Sequence, residues 1–278
     1  MRDHDLTTGR VSGHFRTLAV PAAMGMLFTT LYNMVDVYFA GQLSTDAQAG
    51  LSIGFQAFFI LISLGFGTGS AMSALVGNAR GKKDDAEARR LAMQGLSFAI
   101  MITLLLVCVG ALSGPYLIAL VSEPGAYREA ATGYYYFLLS AMPGFVIGFT
   151  GNGILQAHGD SVTMQRAMMV AFVANSGLNP LFIYGIPGFV PGLGFNGIAV
   201  ATIVSQTGVM LVVLRTVLGL RILQDARIAG LAPDLTSYKE IFLQMIPTAS
   251  AMLVMFASGF VVQFALKGFG GHAIAAYG

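Results

Sequence analysis

Between Arg16 and Asp46 the chain carries one charged residue, Asp36, and it carries none between Asp46 and Arg80, Arg90 and Glu123, or Glu129 and Asp160. Crossing a bilayer as a helix takes about 20 mostly apolar residues, and each gap holds one such run. The interval from Arg166 to Arg215 is long enough for two, divided at Gly185-Ile-Pro-Gly-Phe-Val-Pro-Gly-Leu-Gly194, and Glu240 to Lys267 supplies another. The gaps predict an all-α membrane protein with about seven transmembrane helices, near 17–40, 50–78, 91–113, 131–157, 164–184, 195–218 and 240–266. Only 10% of the residues are charged, against about 25% in soluble domains, so a soluble core could not hide this much apolar surface.

Charge also orients the chain. Thirteen of the fifteen Lys and Arg residues fall on one side of the expected spans, from Arg2, Arg10 and Arg16 through Arg80–Arg90 and Arg166 to Arg215, Arg221, Arg227 and Lys239. Arg128 and Lys267 alone fall on the other. The positive-inside rule then makes the N-terminus cytoplasmic, in a multi-pass protein of the plasma membrane, the inner membrane of a bacterium. Cys108 is the single cysteine and lies within the third span, so no intrachain disulfide can form.

The chain begins to repeat itself. Pro21-Ala-Ala-Met24 aligns with Pro247-Thr-Ala-Ser250, and both open a span that has a basic entry and a Gly-rich exit before an Ala-rich segment. Transporters built from two related halves are organised in this way. The expected division is a cytoplasmic tail at 1–16, a six-helix lobe at 17–222, a cytoplasmic inter-lobe loop at 223–239, and the first helix of a second lobe at 240–278. On this reading the sequence is a truncated chain of a protein with about twelve helices, and its partner is the missing lobe or another copy of the chain. Chance similarity between apolar helices and a natural half-size protein are the alternatives.

Of the thirteen acidic residues, only Asp36 falls inside a span. An acid at that depth costs at least about 2.5 kcal/mol, which makes it a candidate for binding a proton or a small cation. Tyr32 lies one turn before it on the same face, and Asn33 three residues before. The competing reading is that Asp36 is close enough to a helix end to sit in water. In the fifth span, Asn175 and Asn179 share a face ahead of Pro180; they are either partners of Asp36 or ordinary interhelical hydrogen-bond formers. Gly192-Leu-Gly-Phe-Asn-Gly197 fits a dinucleotide-binding pattern, but no strand precedes it. Gly65-Phe-Gly-Thr-Gly69 reads as a helix contact. No metal-ligand spacing and no Ser/His/Asp grouping stands out, so neither an enzyme, a resident metal, a cofactor nor a nucleic-acid partner is expected.

Ordered segments carry a family resemblance. Pro21 with Tyr32-Asn-Met-Val-Asp36-Val-Tyr-Phe-Ala-Gly41, the basic loop Gly77–Arg89, Gln156-Ala-His-Gly-Asp160, Asn175–Pro180, Gly197–Thr202, and Pro247 with Phe269–Gly278 resemble, in this order, the first part of a MATE (multidrug and toxic compound extrusion) transporter. The resemblance implies a secondary antiporter that exports organic, often cationic, compounds in exchange for H⁺ or Na⁺, with small organic cations and membrane lipids as its partners. It places a cation-coupling site on Asp36 with Tyr32, Asn175, Asn179 and Thr202, and Na⁺ at Asp36 is one option. Many relatives carry Asp where this chain has Asn179, which leaves one carboxylate instead of two. A related two-lobed flippase for lipid-linked precursors, a membrane-embedded enzyme, a seven-helix receptor and an inactive fragment are the alternatives. The lack of Lys or Arg inside any span favours cationic over anionic cargo.

Overall fold

The computed structural model describes residues 11–224 and 228–278, with side chains from Ala23 onward except that of Met26. The expected tail at 1–16 therefore lies largely outside the described residues, as do the side chains of Pro21 and Arg227. The described chain is built from α1 (Val11–Leu43), α2 (Thr45–Gly81), α3 (Asp85–Val121), α4 (Ala126–Leu139), α5 (Met142–Ala157), α6 (Thr163–Tyr184), α7 (Asn196–Leu218), α8 (Leu235–Leu266) and α9 (Gly271–Tyr277). Among the described residues five helices are long and apolar enough to cross a membrane, and α4 with α5 makes a sixth if the two are one bent span. The 33 residues of α1 are long enough for a further crossing.

Several helices outrun the expected bounds. α2 and α3 each have 37 residues, about 55 Å of helix against a hydrocarbon core of about 30 Å. Charge marks where the membrane ends, not where the helix does. Arg80, Arg89 and Arg90 continue the helices into water, and the true stops are caps. The Ser44 hydroxyl accepts the amide of Ala47 at 3.0 Å, and the Asp84 carboxylate accepts that of Glu87 at 2.9 Å. α8 likewise begins inside the expected 223–239 loop, because Asp234 caps it.

The expected continuous span at 131–157 is instead two rods meeting at 48° across Ser140 and Ala141. Pro143, near the start of α5, has no N–H for the carbonyl one turn back, so the ladder breaks there.

α2 runs through the middle and packs against α8, α5, α3 and α4, while α6 pairs with α7 and α1. Glycine makes the close crossings. Cβ atoms added at Gly65 and Gly69 would press on Val146 and the Phe149 carbonyl of α5, and one at Gly67 on the Met245 carbonyl of α8. The triplet is a helix contact, as expected. Between α6 and α7, Gly185 turns the chain at φ 73°, where a side chain would strike the Gly192 amide nitrogen.

Both ends of the helix bundle are tied by side chains to backbone carbonyls. At the end carrying most of the basic residues, the Gln94 amide donates to the carbonyls of Gly230 and Ala232, each at 2.8 Å, and accepts the Asp234 amide at 3.0 Å. Arg90 pairs with Asp234 at 3.1 Å. These contacts clasp the segment before α8 onto α3. At the opposite end, Arg128 and Lys267 both donate to the Ala119 carbonyl at 3.4 Å, where cations suit the C-terminus of α3.

Candidate functional site

Asp36 is fully buried in α1, so it does not sit in water at a helix end. The Asn179 amide of α6 donates to its Oδ1 at 2.7 Å, and the Thr202 hydroxyl of α7 donates to its Oδ2 at 3.2 Å. The same Asn179 amide donates to Asn175 Oδ1 at 3.1 Å. Four-residue spacing along α6 turns both asparagines to one side, and both are fully buried. Tyr32, one turn before Asp36, is buried and faces Thr202, Ser205 and Gln206. All five residues named from the sequence therefore meet at one point. Asn33 turns instead toward a neighbouring cavity.

Two contributors were not legible in the sequence. Tyr134 of α4 is fully buried beside Asp36 and Thr202, and Ser205 of α7 stands against Tyr32. Tyr134 belongs to the run Tyr134-Tyr-Tyr136, and nothing in that run distinguishes the one tyrosine that faces the carboxylate.

The polar accounting around Asp36 does not close. The hydroxyls of Tyr32, Tyr134 and Ser205, Nδ2 of Asn175 and Oδ1 of Asn179 are buried without a hydrogen bond of ordinary geometry. Buried polar atoms are nearly always paired, so this concentration around one carboxylate marks a place with spare coordination. No ion pair to Asp36 forms among the described residues. A buried carboxylate without a cationic partner is costly to hold unless a proton or a small cation matches its charge. The oxygens of Asp36, Asn175, Asn179, Thr202 and Tyr32 are hard donors of the kind that a small hard cation takes.

A cavity of about 640 Å³ adjoins this cluster and shares Tyr32 and Thr202 with it. Phe55, Phe59, Phe66, Phe145 and Phe149 make its aromatic wall, Met164 and Met168 an adaptable one, and Asn33, Asn152, Gln156 and Gln206 give it polar points. Phe66 stacks on Phe149 at 4.3 Å, and Phe59 stacks on Phe256 of α8 at 4.8 Å. No charged side chain lines it among the described residues. Such a wall suits flat apolar compounds and, through the faces of its rings, organic cations.

The model of the family MatE matches residues 21–184. The chain is 31% identical over 70% of its length to the "Probable multidrug resistance protein YoeA" of Bacillus subtilis (strain 168), covering 42% of that protein. It is 28% identical over 74% of its length to a protein of Shewanella oneidensis named "FAD transporter", covering 45% of it. It thus spans a little under half the length of these two curated relatives. Its fold matches a solved structure described as the inward-facing conformation of a multidrug resistance MATE family transporter of the MOP superfamily, with a TM-score of 0.79, 24% identity, and coverage of 94% of this chain and 59% of that one. Spans, buried carboxylate and family model converge: the chain is a multi-pass membrane protein that belongs to the MatE family of transporters.

Proposed function

We propose that this chain forms the lobe of a secondary antiporter that couples the binding of H⁺ or Na⁺ at Asp36 to the export of small organic, often cationic, compounds. The observation that carries the reading is a buried carboxylate with no ion-pair partner among the described residues, surrounded by oxygens without hydrogen bonds of ordinary geometry and sharing Tyr32 and Thr202 with an aromatic cavity that no described charged side chain lines. Binding at Asp36 would draw Asn175, Asn179, Thr202 and Tyr32 inward. Because Tyr32 and Thr202 also form part of the cavity wall, the ion would change the shape that a cargo meets. A ligand shifts the balance between two states only as far as it binds them differently, and these shared residues supply that difference.

In this proposal 17–222 is one lobe, α8 opens a second, and the N-terminus is cytoplasmic. The names of the relatives include both a multidrug resistance protein and a transporter of FAD, a nucleotide anion. Among the described residues the cavity lining offers no Lys or Arg to such an anion, which favours a neutral or cationic cargo.

The test is efflux of a fluorescent organic cation from vesicles under an imposed H⁺ or Na⁺ gradient. It uses the 278-residue chain, the same lobe joined to a relative's second lobe, and Asp36→Asn in each. Efflux from the joined protein alone, lost on substitution, supports the proposal, and the effective gradient identifies the ion. Unchanged efflux in Asp36→Asn sinks the coupling role, and efflux from the 278-residue chain sinks the two-lobe requirement.

A further inference from the structure

The outer surface of α6 and α7 holds a second cavity, separate from the aromatic one, of about 410 Å³. It is a groove between the two helices, and Ala171, Ala174 and Gly208 make its floor shallow enough to leave room, with Val170 and Val212 along its rims. Val170 is 64% exposed and Val212 48%, so the rims face outward. On α6 the lining runs from Arg166 to Leu178, about 18 Å of helix, close to the half-thickness of about 15 Å of a hydrocarbon core. Its length matches one leaflet.

The groove is apolar except at its ends. Arg166 lines its mouth and is exposed, and its guanidinium makes no ion pair or hydrogen bond among the described residues. Arg215, also exposed, follows Val212 by one turn on α7. Arg166 does nothing for its own helix: it stands in the first turn of α6, where the helix dipole disfavours a cation. Arg128 and Lys267, by contrast, are engaged at the end of α3. A cation placed against its own helix dipole, at headgroup level, above a leaflet-long apolar groove, is complementary to a ligand with an anionic head and an alkyl tail.

We infer that this groove binds an anionic phospholipid of the leaflet facing Arg166, with one acyl chain between α6 and α7 and the phosphate on Arg166 and Arg215. The charge distribution makes that leaflet the cytoplasmic one. Ser205 lies at the base of the groove and also faces Tyr32, so the lipid tail would abut the wall of the Asp36 cluster. Lipid binding itself does not depend on the transport reading.

The chain has no tryptophan, so a single introduced one reports locally. Val170→Trp places the reporter on the groove rim. Leu105→Trp, on α3 at a residue 53% exposed, serves as the control. Each full chain is reconstituted in phosphatidylcholine vesicles and titrated with acyl-brominated phosphatidylglycerol or with acyl-brominated phosphatidylcholine, which quench the indole on contact. The expected result is that phosphatidylglycerol quenches Val170→Trp at about five-fold lower mole fraction per arginine engaged, that Arg166→Gln removes a five-fold step of that preference and Arg166→Lys restores part of it, and that Leu105→Trp shows none. Equal quenching by the two lipids at Val170→Trp, or a preference that Arg166→Gln leaves undiminished, overturns the inference. Protection of Val170→Trp from both lipids while Leu105→Trp is quenched also overturns it, because protein would then cover the groove.

Discussion

The crossing of α2 and α5 sets up a substitution whose cost can be worked out before it is made. A Cβ added at Gly153 would stand 2.0 Å from the Gly69 carbonyl oxygen and 2.9 Å from its carbon, whereas ordinary contact begins at 3.4 Å. The two helices must part locally by about 1.4 Å, the difference between those distances, because the obstacle is backbone and cannot rotate away. The Thr68–Thr150 hydroxyl contact at 2.9 Å lies one turn off and would open with them. Overpacking costs about 1–3 kcal/mol, and a backbone obstacle puts Gly153→Ala near the top of that range. Replacing a helical glycine by alanine returns about 1 kcal/mol, which leaves a net loss of about 2 kcal/mol. Gly177→Ala in α6 is the matched control, since a Cβ there meets nothing within 4 Å, and it should keep the whole gain of about 1 kcal/mol. Thermal aggregation in detergent at one scan rate should place Gly153→Ala about 4–8 °C below wild type and Gly177→Ala about 2–4 °C above it. Equal melting of the two variants would refute the reasoning, because only the crossing distance separates them.

Three further outcomes are expected. Thr202→Val removes one donor to the buried carboxylate at constant shape; if Na⁺ is the coupling ion, its half-saturating concentration should rise about tenfold or more, as for a lost hydrogen bond to a charged group, while a change under twofold would exclude Thr202 from the ion site. Gln94→Leu cuts three bonds that hold the segment before α8, and amide exchange over residues 228–237 should quicken about tenfold with α3 itself unaffected; unchanged exchange would mean the clasp contributes nothing. The Ser237 hydroxyl and the amides of Ser237 and Thr236 hold the Asp234 carboxyl below the ordinary carboxylate value. A lowered value contributes stability above the ordinary one and loses it as pH falls through the lowered one, so the start of α8 should fray below about pH 4. Exchange at 235–239, corrected for intrinsic rates, should show that loss in wild type and not in Asp234→Asn.

The span pattern was readable because burying charge in lipid is so costly that gaps between charges outline the membrane. The same signal says nothing of helix ends in water, which is why α2, α3 and α8 run past their expected limits to Ser44, Asp84 and Asp234. Asp36, Asn175 and Asn179 stood out because polar groups are rare in spans and because four-residue spacing fixes a common face. Tyr134 and Ser205 did not, since tyrosine and serine are ordinary in such helices and only the packing of α4 on α2 and α7, and of α7 on α5 and α6, turns them inward. The aromatic cavity was equally hidden. Its phenylalanines lie on α2 and α5, with Phe256 of α8 stacked behind Phe59, and each alone reads as core.

The joint at Ser140 and Ala141 has a consequence for how this protein enters a membrane. With 14 and 16 residues, α4 and α5 are about 21 and 24 Å long, and neither reaches across a core of about 30 Å. An insertion machinery that selects for length and apolarity would recognise them only as one segment. Pro143 supplies the weak point in that segment, and the contacts of Tyr134 beside Asp36 and of Gly153 against Gly69 hold the two rods at their angle in the folded chain.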